Sequence, residues 1–433
     1  MKSGTSRSAE QAVLLRSPYG RRVRAVVAVA GALAAAGLGF APSAAASDAQ
    51  SQQWYLGPMQ AEQMWKTSTG EGIKVAVIGT GVNPDTPSLR GRVLQGVDAL
   101  VKDGLAKGSA TQTDDTTGQG TTAAELIAGT GKGGGLRGLA PGVKIIPIRV
   151  PALKHDELPD PNYPLATAVR AAVDSGAKII DFAVGNQYPI GTQIVGDVAF
   201  DYAVKKGVLM VAGTGDNRKE GNKTQYPAAY PHVVGVASSG KDWEVSSTSQ
   251  YGDYVDLAAP GEDVPRWCDA KFQRYCQDGG GTVAASALVS ASAALVWSAH
   301  PDWTANQVLG SLIDTAGRSW PKDDPSKYGG YGAVRPRMVV ENAGYKAGPA
   351  DVDPLGAENG ESAAPEPSAA GSASASAASQ APQKTTTGGT SAAGSSAEST
   401  GDSNTLWIAL GAVAAVVVLG GGGLAVARAR RVR

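Results

Sequence analysis

Histidine and cysteine are scarce in this 433-residue chain, which contains three of the first and two of the second. His155, His232 and His300 lie far apart in sequence, and neither Cys268 nor Cys276 has other potential ligands clustered around it. A zinc site takes three or four ligands, mostly cysteine and histidine. We therefore predict no zinc site and assign no metal-ligating residues.

Both ends of the chain have the composition of membrane-targeting segments. Arginines precede an apolar run over residues 25–40, and Ala44-Ala45-Ala46 offers a cleavage site, so residues 1–46 are predicted to be a signal peptide. Residues 405–427 are 23 residues without charge, long enough to cross a hydrocarbon core of ~30 Å. The arginines of residues 428–433 predict a cytoplasmic C-terminus. We expect a single-pass protein of the cell membrane, with its N-terminal domain outside the cell.

A linker is predicted between the N-terminal domain, residues 47–349, and the membrane helix. Residues 350–403 consist mainly of Ser, Ala, Gly, Thr, Pro and Glu. Such a composition cannot bury enough apolar surface to offset the entropy lost on ordering. We therefore predict that this segment is disordered.

The net charge of zero conceals an uneven distribution. Residues 1–46 carry about +5 and residues 428–433 carry +4, so the rest of the chain carries about −9. Nucleic-acid binding needs a basic face. An acidic exported domain argues against such a partner, and we predict no nucleic-acid binding.

Export also bears on the two cysteines. Cys268 and Cys276 are eight residues apart, and both are predicted to lie outside the cell. Disulfides form and persist in such oxidising surroundings. We expect the two residues to form a disulfide that closes a short loop.

Strand-like apolar runs alternate with helical patterns between residues 50 and 347. The runs cover residues 73–79, 144–150, 178–185, 208–215 and 232–238. Helical spacing is clear at 165–177, 282–298 and 306–316, the last preceded by a capping box of Thr304 and Gln307. Strands buried on both faces and separated by helices predict an α/β fold with a doubly wound parallel sheet in one globular domain.

The first of these strands ends in a glycine loop, Gly79-Thr80-Gly81, that invites comparison with phosphate-binding loops. The dinucleotide pattern G-x-G-x-x-G fails because Pro84 stands at the third glycine position. The glycine-rich run at 129–135 fails as a P-loop, since Lys132 is followed by Gly133 instead of serine or threonine. We therefore predict no nucleotide and no other cofactor.

Three glycine-containing blocks resemble, in order, the three catalytic blocks of the subtilisin-like serine proteases. The first, VAVIGTGVN at 75–83, is similar to the family's V-A-V-I-D-T-G. The second, at 118–129, is similar to G-H-G-T followed by a small-residue helix, and the third, at 279–296, to G-T-S-x-A before another helix. The segments at 135–150, 226–238, 257–264 and 300–316 also resemble the family. The resemblance implies a subtilisin-like fold over residues 54–345.

The order of segments resembles a particular branch of this family. A signal peptide, a subtilase domain, a low-complexity linker and a C-terminal membrane helix are similar to the arrangement in the mycosins. Those are membrane-anchored subtilases associated with type VII secretion systems. The resemblance implies partners at the outer membrane face, either proteins or peptides, among them components of a type VII secretion system.

The residues that carry catalysis in the family are replaced in this chain. Gly79 stands at the position of the aspartate, Gln119 at that of the histidine base and Val283 at that of the serine nucleophile. Asp216 stands at the position of the oxyanion-hole asparagine. Valine has no nucleophilic atom and glutamine has no titratable group near neutral pH. We therefore predict that no catalytic triad is intact.

Neighbouring polar residues are predicted to have structural roles and not to replace the missing catalytic groups. Thr121 and Thr282 have no histidine partner in the pattern, and His232 and His300 match positions that are not catalytic in the family. We interpret three further acids as solvated and three helical serines as packing residues: Asp85, Asp114, Asp115, Ser286, Ser290 and Ser292.

Two functions from different classes follow from these observations. The favoured one is a catalytically inactive subtilase that acts as a membrane-anchored binding or scaffold protein. The alternative, which family membership alone suggests, is an active serine endopeptidase. Subtilases hold peptides by adding a strand to a sheet edge, and the matching segment here is Phe182, Ala183, Val184 and Gly185.

Overall fold

A computed structural model describes residues 49–152, 163–185, 193–356 and 359, without the side chains of 193–197. The predicted signal peptide, membrane helix and basic tail lie outside the described residues, as do His155 and most of the predicted linker.

Seven parallel strands form one sheet in the order β2–β3–β1–β4–β5–β6–β7. Their bounds are β1 Lys74–Gly79, β2 Val97–Asp98, β3 Lys144–Arg149, β4 Ile179–Phe182, β5 Leu209–Gly213, β6 Val233–Ser239 and β7 Leu257–Pro260. The predicted doubly wound parallel sheet is therefore confirmed. The chain adds β2 and β3 on one side of β1 and then adds β4 to β7 on the other side. The gap between the ends of β1 and β4 is therefore the topological switch point, where ligands bind in such sheets.

Helices cover both faces of the sheet. They are α1 Ala61–Met64, α2 Ala99–Lys102, α3 Gln119–Ala128, α4 Leu165–Asp174, α5 Gln193–Lys205, α6 Gly281–Ala299, α7 Ala305–Thr315 and α8 Arg337–Val340. Alternate side chains of β1 enter different cores: Val75 and Val77 pack in the core that contains α3 and α6, whereas Ala76 and Ile78 pack in the one that contains α4. The predicted capping box of Thr304 and Gln307 is present at the start of α7.

The longest helix, α6, is buried along most of its length. Within the described residues it is the one helix that length and composition would allow to cross a membrane, yet 83% of its most apolar window lies inside the domain. Alanine and serine dominate its sequence, which lets α6 pack closely against β4, β5, β6 and β7. It is therefore the central helix of the core.

A short antiparallel hairpin, β8 Arg266–Trp267 and β9 Tyr275–Cys276, leaves the main sheet after β7. Cys268 and Cys276 form a disulfide across it, with 5.1 Å between their Cα atoms, as the sequence predicts. The Trp267 and Tyr275 rings stack with their centroids 3.9 Å apart. The hydroxyl of Tyr275 then donates to Glu125 Oε2 on α3 at 2.6 Å, which fastens the hairpin to that helix.

The carboxyl groups of Glu125 and Asp181 are fully buried inside the domain. Glu125 also accepts from Thr86 Oγ1 at 2.7 Å, and Asp181 on β4 accepts from Ser290 Oγ on α6 at 3.0 Å. Ser290 therefore does more than fill space, contrary to its interpretation as a packing residue. Burial raises the pKa of each carboxyl to about 7, although the hydrogen bonds act in the opposite direction.

These two raised pKa values predict a stability component that declines with rising pH. Folding favours the protonated carboxyls, so the component is complete below the ordinary values near 4 and is lost as pH rises through about 7. We expect the difference in unfolding free energy between wild type and Glu125→Gln to shrink from pH 4.5 to pH 7.5, and likewise for Asp181→Asn. Urea denaturation at several pH values measures it. The exposed Glu71→Gln serves as the control, and a difference independent of pH would contradict the assignment.

Candidate functional site

The end of β1 meets the end of β4 and the start of α3. A Cβ atom on Gly79 would lie 3.3 Å from Ala183 Cβ and 3.7 Å from Gly120 Cα. Gly81, two residues on, has φ of +117°, and a Cβ there would lie 2.4 Å from the carbonyl oxygen of Asp114. Gly81 is thus required by the turn, whereas Gly79 has a backbone conformation open to other residues.

Asp115 organises the loop that leads into α3. Its Oδ1 accepts from Thr80 Oγ1 at 2.7 Å and from the N–H of Gly118 at 3.0 Å, and its Oδ2 accepts from the N–H and hydroxyl of Thr121. The interpretation of Asp115 as a solvated acid is wrong, because the residue is buried and caps the helix. Asp85 and Asp114 are exposed, as expected. No local sequence signal distinguishes the buried Asp115 from the exposed Asp114 beside it.

A cavity of about 420 Å³ opens at the carboxyl edge of the sheet. Gln119 from the first turn of α3, Val283 from the first turn of α6 and Asp216 from the loop after β5 all line it. Gly79 does not line this cavity, but it is packed against Gly120, the neighbour of Gln119. The structure thus brings the four sequence-predicted positions to one end of the sheet.

The carboxylate of Asp216 is held against the beginning of α6. Its Oδ1 accepts from the backbone N–H of Thr282 at 3.0 Å, and its Oδ2 accepts from the Thr282 hydroxyl at 3.1 Å. Gly281 has φ of +58° and no Cβ, which permits this approach, since a Cβ there would lie 2.4 Å from Oδ2. The positive end of the helix dipole favours a negative charge at this point. Burial nevertheless raises the pKa of Asp216, while the bonds from Thr282 lower it.

Three threonine hydroxyls close to the cavity are engaged in hydrogen bonds. Thr121 donates to Asp115, and Thr122 donates to the carbonyl of Gly118 at 2.7 Å. Thr282 Oγ1 accepts from the N–H of Gly215 at 3.0 Å while it donates to Asp216. Val283 is half-buried and aliphatic, and Gln119 is exposed. Thr121 and Thr282 are paired with the carboxylates of Asp115 and Asp216, and none of these three hydroxyls is paired with a histidine base.

The two described histidines lie away from the cavity. His232 precedes β6, at the opposite edge of the sheet, with Nδ1 3.2 Å from Asp353 Oδ2. His300 follows the last turn of α6, about 28 Å along the helix from its start, and stacks on Trp303 at 3.9 Å. Burial lowers the pKa of His300. No group of three or more metal-ligating side chains occurs in the described part of the chain.

The predicted peptide-binding edge fails at Phe182. β4 is paired on both sides, with Phe182 opposite Ile78 of β1 and Ala212 of β5, so its main chain offers no free edge. The Phe182 ring is buried in the core, 6.0 Å from that of Phe200. Ala183 donates its N–H to Ile78 and so continues the ladder. The residues that leave the sheet are Val184 and Gly185.

The comparisons with known proteins agree with this architecture. The model of the subtilase family matches residues 70–343. Fervidolysin of Fervidobacterium pennivorans is 31% identical over 305 residues, covering 63% of this chain and 41% of that protein. Thermitase of Thermoactinomyces vulgaris is 33% identical over 214 residues, covering 49% and 71%. This chain therefore spans less than half the length of fervidolysin.

Solved structures of mycosins share the fold. MycP1 from Mycobacterium smegmatis superimposes with a TM-score of 0.56 at 25% identity, covering 69% of this chain and 86% of that one. The MycP3 protease from the type VII (ESX-3) secretion system gives a TM-score of 0.55 at 28% identity, covering 69% and 90%. The strand order, the ordered motifs and the family match over residues 70–343 lead to one conclusion: this chain belongs to the subtilase family.

Proposed function

We propose that this chain is a catalytically inactive subtilase that binds proteins or peptides at the outer face of the cell membrane, in the setting of a type VII secretion system. The proposal rests on the residues at the three positions that carry catalysis in the family, which are Gly79, Gln119 and Val283. A hydroxyl nucleophile needs a base within hydrogen-bond reach, and that base needs an orienting carboxylate. All three parts are missing at those positions.

The environment of Asp216 adds a second obstacle to catalysis. An acyl-transfer site donates hydrogen bonds to the negative charge that develops in the transition state. Here a carboxylate takes the position of the family's asparagine and already accepts the N–H of Thr282. Loss of one oxyanion donor typically costs about 3–4 kcal/mol of transition-state stabilisation. An anion at that point opposes the developing charge as well.

Within the part of the chain that the structure describes, no hydroxyl beside the cavity is paired with a histidine base. The threonine hydroxyls near the cavity are committed to Asp115, Gly118 and Asp216. His232 and His300 lie at the far side of the domain, so neither serves as the base. These contacts favour the inactive protein over the alternative of an active serine endopeptidase.

The proposed location rests on the ends of the chain and on the mycosin neighbours. A signal peptide at 1–46, a linker at 350–403, a membrane helix at 405–427 and a basic tail at 428–433 would tether the domain outside the cell. MycP1 and MycP3 are described as parts of type VII secretion systems. We propose the same setting here, with secretion components or the peptides that leave them as partners.

The test of inactivity is labelling and turnover by the purified protein. We expect no reaction with a fluorophosphonate probe and no hydrolysis of a broad peptide library, because Val283 has no nucleophilic atom. Val283→Ala provides the background. Labelling or turnover of the wild type above that of the variant would refute the proposal.

Restoring the family residues tests how much of the catalytic scaffold is left. The variant combines Gly79→Asp, Gln119→His, Val283→Ser and Asp216→Asn. Gly79 accepts a side chain if Ala183 shifts by a few tenths of an ångström. We expect probe labelling and slow turnover, since a displacement of ~1 Å in unadapted packing costs on the order of 10²-fold.

The matched control keeps Asp216 and restores only the other three residues. Its turnover should be lower by roughly 10²–10³-fold, the usual effect of losing one oxyanion donor. Circular dichroism checks that both variants fold. A folded quadruple variant without any labelling would show that the cleft no longer has the family geometry, and peptide binding in it would then fail.

A further inference from the structure

Charge in the cavity is unevenly compensated. Four carboxylates line it, Asp216, Glu262, Asp263 and Asp278, against a single cation, Arg266. Arg266 pairs with Asp278 at 2.7 Å, and Asp263 pairs with Lys241 at 3.1 Å. Within the described residues, no cationic side chain pairs with Asp216 or Glu262.

An unused hydroxyl group lies beside this charge. Ser238 lines the cavity and is 1% exposed, yet its Oγ has no hydrogen-bond partner among the described residues. The Oγ lies 2.5 Å from the point that a Cβ of Gly261, another lining residue, would occupy. A buried hydroxyl without a partner costs free energy. A ligand that donates a hydrogen bond into the cavity would remove that cost.

Part of the remaining wall is apolar, although Thr117, Gln119, Thr122, Ser246 and Thr248 add polar groups to it. Trp267, Val283 and Ala284 line the same space, and its volume falls within the usual range for ligand pockets. Lysine and arginine side chains join an apolar stem to a cationic head. Their stem matches these three walls, and their head matches the carboxylates and the hydroxyl of Ser238.

We propose that the cavity binds a cationic group on an alkyl stem, presented by a lysine or arginine side chain of an extended peptide. Asp216 is the principal anionic partner, Glu262 adds charge at long range and Ser238 accepts a hydrogen bond. The proposal rests on the proposed function and names the peptide class that this non-hydrolytic site selects. It also reverses the polarity of the family's site, where a developing negative charge is stabilised.

The test compares blocked pentapeptides on the full-length protein in detergent. Acetyl-Ala-Ala-Lys-Ala-Ala-amide supplies the cation, its norleucine analogue keeps the stem without the charge, and its glutamate analogue reverses the charge. Calorimetry measures the affinity of each peptide. We expect the lysine peptide to bind about tenfold tighter than the norleucine peptide, with the glutamate peptide weakest.

Variants identify the group that provides this preference. Asp216→Asn should remove the tenfold difference, whereas the exposed Glu71→Gln should keep it. If Asp216→Asn fails to fold, Glu262→Gln and added salt replace it, and each should weaken lysine binding while norleucine binding stays unchanged. A norleucine peptide with a free N-terminus tests whether the cavity prefers a terminal ammonium group to a side-chain cation. If that peptide binds more tightly than the lysine peptide, the assignment to a side chain is overturned.

The outcomes separate this inference from the proposed function. Equal affinity for lysine and norleucine, or no binding of any peptide, overturns the inference and leaves inactivity standing. Mass spectrometry of the same samples detects cleavage, and cleavage absent from Val283→Ala would overturn the proposed function itself. The inference would also be overturned if Asp216→Asn still bound the lysine peptide more tightly than the norleucine peptide and added salt did not change the affinity for lysine.

Discussion

The contact between the Asp216 carboxylate and the N–H of Thr282 joins the loop after β5 to the first turn of α6. Through α6 it is linked to the rest of the domain, because that helix packs against β4, β5, β6 and β7. Gly281 permits the contact by having no side chain at a left-handed backbone position. The same helix start carries Val283, so the chemistry of the cavity and the packing of the core depend on one short segment.

Polar groups elsewhere in the interior hold the same elements in register. Asp181 on β4 is bonded to Ser290 on α6, and Glu125 on α3 is bonded to Tyr275 of the disulfide hairpin. Asp115 caps α3 beside the loop after β1. Buried polar contacts of this kind are costly when incomplete, so they favour one arrangement over others. The domain thus keeps a defined cleft although the positions expected to perform catalysis carry unreactive side chains.

The fold and the location of the cavity follow largely from sequence. Apolar runs separated by helical patterns predict the parallel sheet, and the glycine blocks predict which loops meet. The disulfide of Cys268 and Cys276 follows from their spacing and from the predicted export of the domain. These features depend on local pattern and on motif order, both of which a single chain displays directly.

Other features depend on which side a residue faces, and the sequence does not carry that information. The run at 178–185 is apolar on both faces, so no alternation tells that Phe182 points into a core or that Asp181 meets α6. In the sequence, Asp115 does not differ from other loop acids. Its buried position depends on the turn that brings the hydroxyls of Thr80 and Thr121 to its carboxylate. The charge balance of the cavity likewise depends on the ion pairs that Arg266 and Lys241 form with two of its acids. Neither cation is a neighbour of Asp216 in sequence.

The central claim is that the Asp216 carboxylate accepts a hydrogen bond at the start of α6, where the family has an amide donor. An NMR titration of protein labelled with ¹⁵N-threonine tests it, with the Thr282 amide assigned through Asp216→Asn. We expect the chemical shift of the Thr282 amide to follow the ionisation of Asp216, with a midpoint above 3.8, because burial raises the pKa of Asp216 above that ordinary value. A Thr282 amide that does not respond to pH, or one whose midpoint is at or below 3.8, would contradict the account.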